Sequence, residues 1–315
     1  MRLFRRRRDR QTRRAARPVE DVDLDSLLAL VADSLGYACA FSADGGTLTL
    51  TPDEHAAGHT VRLAGLRAEA RRRSREDWPV LVSGHLSHVL ATAGEPFDAC
   101  DLDQVRPLLR TRLQPAGDAE TGVVGRHLSA DLVEVLTVGY GEAARPVRPE
   151  EAGCWPITAA QALEEAMGNA ARDGRLSVEA IDLGGATALR LSGTTGSATG
   201  GAAAHLRRLG DYLRVPADGV LVALPSRSAM VVHPVEGIEV VRAIERLRLF
   251  AQRECDLEAG GLSPQVYWWH GGRLTLIRAD LVSQDGQVRL VVAPPQAFAR
   301  VLASLAARPE GGPGG

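Results

Sequence analysis

Apolar positions recur along this chain with two periods, close to 3.6 and 2, and the switches between them mark out its elements. Leu24, Leu27, Leu28, Val31 and Leu35 repeat at helical spacing over Asp23 to Leu35, and Gly36 closes the run. Tyr37 to Phe41 and Thr47 to Thr51 read as strands around the turn sequence Ala43-Asp44-Gly45-Gly46, with a third strand at Thr60 to Leu63. A helical stretch then extends to about Ala93, with Arg71 to Arg75 on a wet portion and Val80, Leu81, Leu86, Val89 and Leu90 buried. The order α-β-β-β-α is enough for a small domain.

Gly94 to Gly125 is mixed, with a strand expected at Val105 to Leu113 and another at Leu132 to Tyr140. Arg145 to Pro156 holds three prolines and a glycine and reads as a linker or crossover. Thr158 with Gln161 three residues on is a capping box opening a helix whose stripe is Leu163, Ala166, Met167 and Ala170. Strands follow at Ser177 to Leu183 and Ala186 to Leu191. After the Gly/Ser/Thr-rich loop Ser192 to Gly201 comes a helix with Leu206, Leu209 and Leu213 inward. A charged helix over Ile238 to Cys255 buries Val241, Ile244, Leu247 and Ala251. Val288 to Val292 is the last strand, and a helix starting at Pro295 turns Phe298, Val301, Leu302 and Leu305 inward.

Two hairpins stand out in this half. Val220 to Leu224 and Ala229 to Val232, joined at Pro225-Ser226-Arg227-Ser228, are too continuously apolar for strands with a wet face, so they read as the centre of a sheet. Gln265 to His270 and Arg273 to Ile277 meet at Gly271-Gly272, a two-residue turn. That turn sets His270 opposite Arg273, Trp269 opposite Leu274, Trp268 opposite Thr275 and Tyr267 opposite Leu276. Trp269 and Tyr267 then share a face with the leucines, and Trp268 is expected to be the more exposed indole. Hairpins punctuated by helices predict an α+β fold, antiparallel sheets with helices packed on one face. The domains expected are 21–145 and 146–307, between an arginine-rich tail (1–20) and a Gly/Pro tail (308–315) that are both expected to be disordered.

Composition narrows the chemistry. All 37 basic residues are arginine, which excludes a P-loop lysine, a Schiff base and a lysine general base. Residues 1 to 17 carry nine arginines and one aspartate, leaving 28 arginines against 38 acids elsewhere. Such a tail is expected to be dispensable for folding and able to meet nucleic acid or an acidic membrane surface. It is followed by no apolar stretch of the kind a twin-arginine signal requires, and a cytosolic protein is expected. Cys39, Cys100, Cys154 and Cys255 are at least 54 residues apart and read as separate small apolar residues.

Candidate chemistry is sparse. His55 with His59, and His85 with His88, have spacings found in metal sites, but neither pair stands in a ligand frame, and no metal or cofactor is expected. The Ser192 to Gly201 loop precedes a helix, as phosphate loops do, yet lacks their Lys-Ser or Lys-Thr ending. Three residues are singled out for binding. Arg227 sits at the break of the central hairpin, where a guanidinium could take a carboxylate or phosphate. Trp268, with its cross-strand partner Thr275, is expected to offer an aromatic surface to a protein partner.

Leu63-Ala64-Gly65-Leu66 entering a helix, Asp131-Leu132-Val133, the helix Ala159 to Ala170 with Asn169 near its end, Leu221 to Arg227 and Ser263 to His270 together resemble the YtpQ-like family of bacterial proteins over about residues 60–293. Ser228 stands where that family has an acid, and Ala170 where it has a leucine. The resemblance implies no activity and no ligand. The element order of residues 23–93 also resembles small domains of bacterial secretion chaperones. The function expected is that of a non-enzymatic binding or accessory module. The alternatives are an enzyme, such as a hydrolase, with a site assembled from distant residues, or peripheral nucleic-acid or membrane association through the tail.

Overall fold

The computed structural model describes residues 19–52, 58–118, 121–139, 144–193, 201–257, 261–284 and 287–308. The arginine-rich residues 1–17, His55, residues 194–200 of the Gly/Ser/Thr loop and the tail from 309 lie outside them. The chain divides into two units, 1–96 and 97–315.

In the first unit α1 (Val19–Ser34) buries Leu24, Leu28 and Ala32, each four residues on from the last. β1 (Tyr37–Phe41), β2 (Thr47–Pro52) and β3 (His59–Arg62) form an antiparallel sheet in that order. Leu48, Leu50 and Val61 of the sheet meet α1, α2 (Ala64–Ala70) and α3 (Trp78–Ala91) in one core. The buried stripe of α3 is Trp78, Leu81, Val82, His85 and Leu86, while Val80, expected inside, is 76% exposed. Arg67 is buried with its guanidinium 2.6 Å from Asp25 Oδ1 and 2.9 Å from the Gly45 carbonyl, tying α1 and the β1–β2 turn to α2.

The second unit begins with α4 (Leu102–Val105) and a 3-10 turn at Arg106–Leu108, so the strand expected from Val105 starts only at Leu109. β4 (Leu109–Pro115), β6 (Leu132–Val138) and β5 (Gly125–His127) pair antiparallel in that spatial order, and β7 (Arg145–Pro146) also pairs with β6. After α5 (Pro149–Ala152), α6 (Ala159–Arg172) begins at Thr158, whose hydroxyl accepts the Gln161 N–H while the Gln161 side chain accepts the Thr158 N–H. α6 packs on β4 and β6, and Arg110 at 5% exposure is held by Asp173 just beyond α6 through bonds of 2.5 and 2.8 Å. Because β4–β7 share a core with α5 and α6, a domain boundary at 145 is not seen. The contacts thin instead after Pro96, where the α-β-β-β-α pattern ends.

Cys100 and Cys154 form a disulfide, although the spacing of the four cysteines predicts separate apolar residues; the packing of α4 against α5 and α6 brings the two together across 54 residues. No helix among the described residues is long and apolar enough to cross a membrane.

The remaining elements are β8 (Ser177–Asp182), β9 (Thr187–Ser192), a 3-10 helix (Ala202–Asp211), β10 (Val220–Ala223), β11 (Ala229–Pro234), α7 (Val240–Leu257), β12 (Val266–His270), β13 (Arg273–Gln284), β14 (Gln287–Ala293) and α8 (Gln296–Ala307). Their strands form an antiparallel sheet in the order β14-β13-β12-β10-β11-β9-β8, with the expected central hairpin in the middle. The fold is α+β. One face of the sheet (Leu221, Ala223, Val231, Val266, Trp268, Ile277) is covered by α7 and α8. The other (Val220, Val222, Met230, Val232, Tyr267, Trp269, Leu274) is covered by the 3-10 helix together with Leu113 and Leu132 of the smaller sheet. In α7 the buried residue is Val240 and Val241 is 47% exposed, one position off the expected stripe.

Candidate functional site

The β12–β13 hairpin has the register its two-residue turn dictates: Trp269 opposite Leu274, Trp268 opposite Thr275, Tyr267 opposite Leu276. Gly271 and Gly272 both take positive φ, the backbone such a turn demands. The alternation is as expected, but the exposure of Trp268 is not. Its indole is only 5% exposed, stacked on His270 with ring centroids 4.7 Å apart and packed on Phe298 of α8 at 5.2 Å. Its Nε1 donates to the Asp218 carbonyl at 2.8 Å. Trp268 is core, because α8 returns to cover the face that sequence alone left open.

β13 is longer than the sequence suggests and changes neighbours halfway. Arg273 to Ile277 pair with β12, and Arg278 to Gln284 pair with β14 on the opposite edge. β14 ends at Ala293, opposite Arg278, and the chain continues as Pro294-Pro295. Proline has no N–H to donate to a ladder, and the chain turns there into α8. Along Arg273 to Ile277, the edge of β13 away from β12 therefore has no strand beside it among the described residues.

A cleft of about 560 Å³ lies against this half-strand. Arg273, Leu274, Thr275, Leu276 and Arg278 line it from β13; Arg126 and the segment His127 to Ala130 line it from β5 and the turn that follows; Arg207 joins from the 3-10 helix. Among the described residues the lining contains no acid. Arg126 is engaged by Glu134 at 2.7 Å and Glu164 at 3.0 Å, and Arg207 by the same Glu164 at 2.8 Å. Burial alone would raise the Glu164 carboxyl, but hydrogen bonds and charge from Arg126 and Arg207 outweigh it and hold it below its ordinary value. Arg273 and Arg278 are exposed, and neither has an ion pair with a described carboxylate. Arg126 and Arg207 are thus paired with Glu134 and Glu164, while Arg273 and Arg278 stand over partly buried Leu128 and Leu276.

Behind the cleft, Ser129 donates to Asp131 Oδ1 at 2.5 Å, and the Tyr267 hydroxyl donates to Asp131 Oδ2 at 2.6 Å. Ser263 Oγ lies 2.6 Å from the same hydroxyl. Burial first, then the Asp131 charge, push the Tyr267 phenol far up, so it remains a protonated donor. This chain of bonds locks the His127–Asp131 turn to β12. It does not resemble an activated nucleophile, since Ser129 gives its proton to a carboxylate and no described histidine bonds it.

A second recess of about 390 Å³, lined by Arg175, Arg208, Asp211 and Tyr212, offers less. Arg208 is paired with Asp211, and Arg175 donates to the Asp211 carbonyl and lies over the Tyr212 ring. Below it His205 is buried, its Nδ1 2.7 Å from the Tyr212 hydroxyl and its Nε2 without a partner. Burial first, then the nearby Arg208 charge, lower the His205 pKa.

Of the three residues singled out from the sequence, only Thr275 lines the cleft. Arg227 is exposed, and its carbonyl accepts the Ala202 N–H at 2.8 Å; it is not part of the lining. Arg126, Arg207, Arg273 and Arg278 share no sequence signature because they converge from three distant segments. The one local signal was Arg273-Leu-Thr-Leu-Ile-Arg278, a strand with an arginine at each end of an apolar run. Among the described residues no group of three or more His, Cys, Asp or Glu is placed to hold a metal ion. Compared with protein-family models, curated proteins and solved structures, the chain matches none.

Proposed function

We propose that this protein is a non-enzymatic binding module and that its site is the arginine-lined cleft beside β13, which takes an anionic group. The observation that carries this reading is the pair Arg273 and Arg278, two exposed guanidinium groups without ion pairs to described carboxylates, on the rim of a cleft that already holds Arg126 and Arg207. Arginine presents a planar fork of donors that matches carboxylate or phosphate oxygens. Arg126 and Arg207 are already paired with Glu134 and Glu164, so a bound anion would find its partners in Arg273 and Arg278. The apolar floor adds surface for an attached group, and the Tyr267–Asp131–Ser129 bonds keep the cleft wall fixed before a ligand arrives.

Calorimetric titration with inorganic pyrophosphate at low ionic strength tests this. The wild type should show one saturable event, and Arg273→Gln/Arg278→Gln should weaken it about tenfold or more, the size of one lost charge-assisted contact. Equal binding by both proteins would place the anion elsewhere, and no binding by either would remove the reading.

A further inference from the structure

We propose that the ligand is an extended acidic segment of a partner protein, which adds as a strand along the open edge of β13 at Arg273 to Ile277. This rests on the anion-binding reading of the cleft and deepens it. The first support is the backbone. β12 takes one edge of this half-strand, β14 stops opposite Arg278, and Pro294-Pro295 prevent the ladder from continuing. A strand edge left in this way presents alternate N–H and C=O groups to any extended chain laid beside it. Five residues of edge accommodate roughly 17 Å of extended peptide.

The second support is charge. The cleft that runs along the same edge has arginines at both ends of the half-strand, Arg273 and Arg278, and two more on the facing wall, Arg126 and Arg207. A bound strand projects side chains alternately to its two faces, so acidic residues at every second position would lie on the Leu274 and Leu276 face with Arg278, Arg126 and Arg207, while Arg273 lies on the other face. Apolar or small residues between them would face the other way. The same charges argue against two other occupants. Two copies of this chain meeting edge to edge would bring like arginines together, and residues 1–17, with nine arginines and one aspartate, have the wrong sign. The site also accounts for the expected protein partner at this hairpin, with the contact moved from the Trp268 indole to the backbone of the strand that Trp268 pairs with.

Fluorescence anisotropy with a labelled peptide of four Glu-Val repeats tests this, set against the same peptide N-methylated at alternate amides, against a twelve-residue oligothymidylate and against pyrophosphate. The parent peptide should bind, Arg273→Gln/Arg278→Gln should weaken it about tenfold or more, and N-methylation should abolish binding, because it removes ladder donors while keeping every charge. Equal binding of the methylated peptide or tighter binding of the oligonucleotide would overturn strand addition. Pyrophosphate binding without peptide binding would overturn it too, while leaving the anion cleft standing. If no anion binds, both readings fall. A concentration-dependent dimer dispersed by the peptide would assign the edge to a second copy and likewise overturn the proposal.

Discussion

The two faces of the seven-stranded sheet are built from the same strands and end differently. Trp268 and Ile277 lie under α7 and α8, two helices that bring continuous apolar stripes and seal that face. Trp269 and Leu274 lie under a 3-10 helix, part of a second sheet and a turn, a patchwork whose margin is arginine and whose coverage stops at Leu276. A long amphipathic helix offers a stripe wide enough to close a sheet; short irregular cover does not, and the cleft lies where it ends. The arginines divide in the same way. Arg67 and Arg110 are buried with their donors spent on carboxylates and carbonyls, while Arg273 and Arg278 have no ion pair with a described carboxylate.

The largest effects should come from the two indoles, one beneath each cover. Trp268→Ala and Trp269→Ala should each cost about 3–5 kcal/mol in denaturant unfolding, the range for a buried tryptophan. A Trp268→Ala cost under about 1.5 kcal/mol would mean that α8 does not seal its face. Next, Asp173→Ala should cost about 3 kcal/mol, since it strands the Arg110 guanidinium in the interior. A loss near zero would erase the line between structural and cleft arginines.

A smaller effect should appear with pH. The His205 pKa is lowered in the fold, so its contribution is present above the ordinary histidine value of about 6.5 and is lost as pH falls through and below it. Urea midpoints should fall between pH 7.5 and 5, and His205→Gln should flatten that slope. An unchanged slope in the variant would show that the 3-10 cover does not depend on this ring. Smallest of all, Arg273→Gln/Arg278→Gln should shift stability by no more than about 0.5 kcal/mol, as exposed positions do. A larger loss would give these arginines a structural role.

Much of this architecture is legible in the residues. The register of β12 with β13 follows from Gly271-Gly272, and the capping box at Thr158 from two side chains three residues apart. Local chemistry fixes such features. What the sequence hides depends on distant segments: that α8 returns over Trp268, that Cys100 meets Cys154, and that β14 halts opposite Arg278. The stripe errors are of another kind: at Val241 the neighbouring Val240 takes the core place, and at Val80 the buried face of α3 passes instead through Leu81 and Val82. The cleft is hidden in the sequence because Arg126, Arg207 and Arg273 share no motif; only the fold brings them around one cleft.

The claim that cleft arginines are held ready for an anion while core arginines are spent is tested most directly by side-chain NMR. With arginine Nε–H resonances assigned, pyrophosphate should shift those of Arg273 and Arg278 in a saturable manner and leave those of Arg67 and Arg110 in place. Uniform small shifts across all four, or no shift at Arg273 and Arg278, would contradict it.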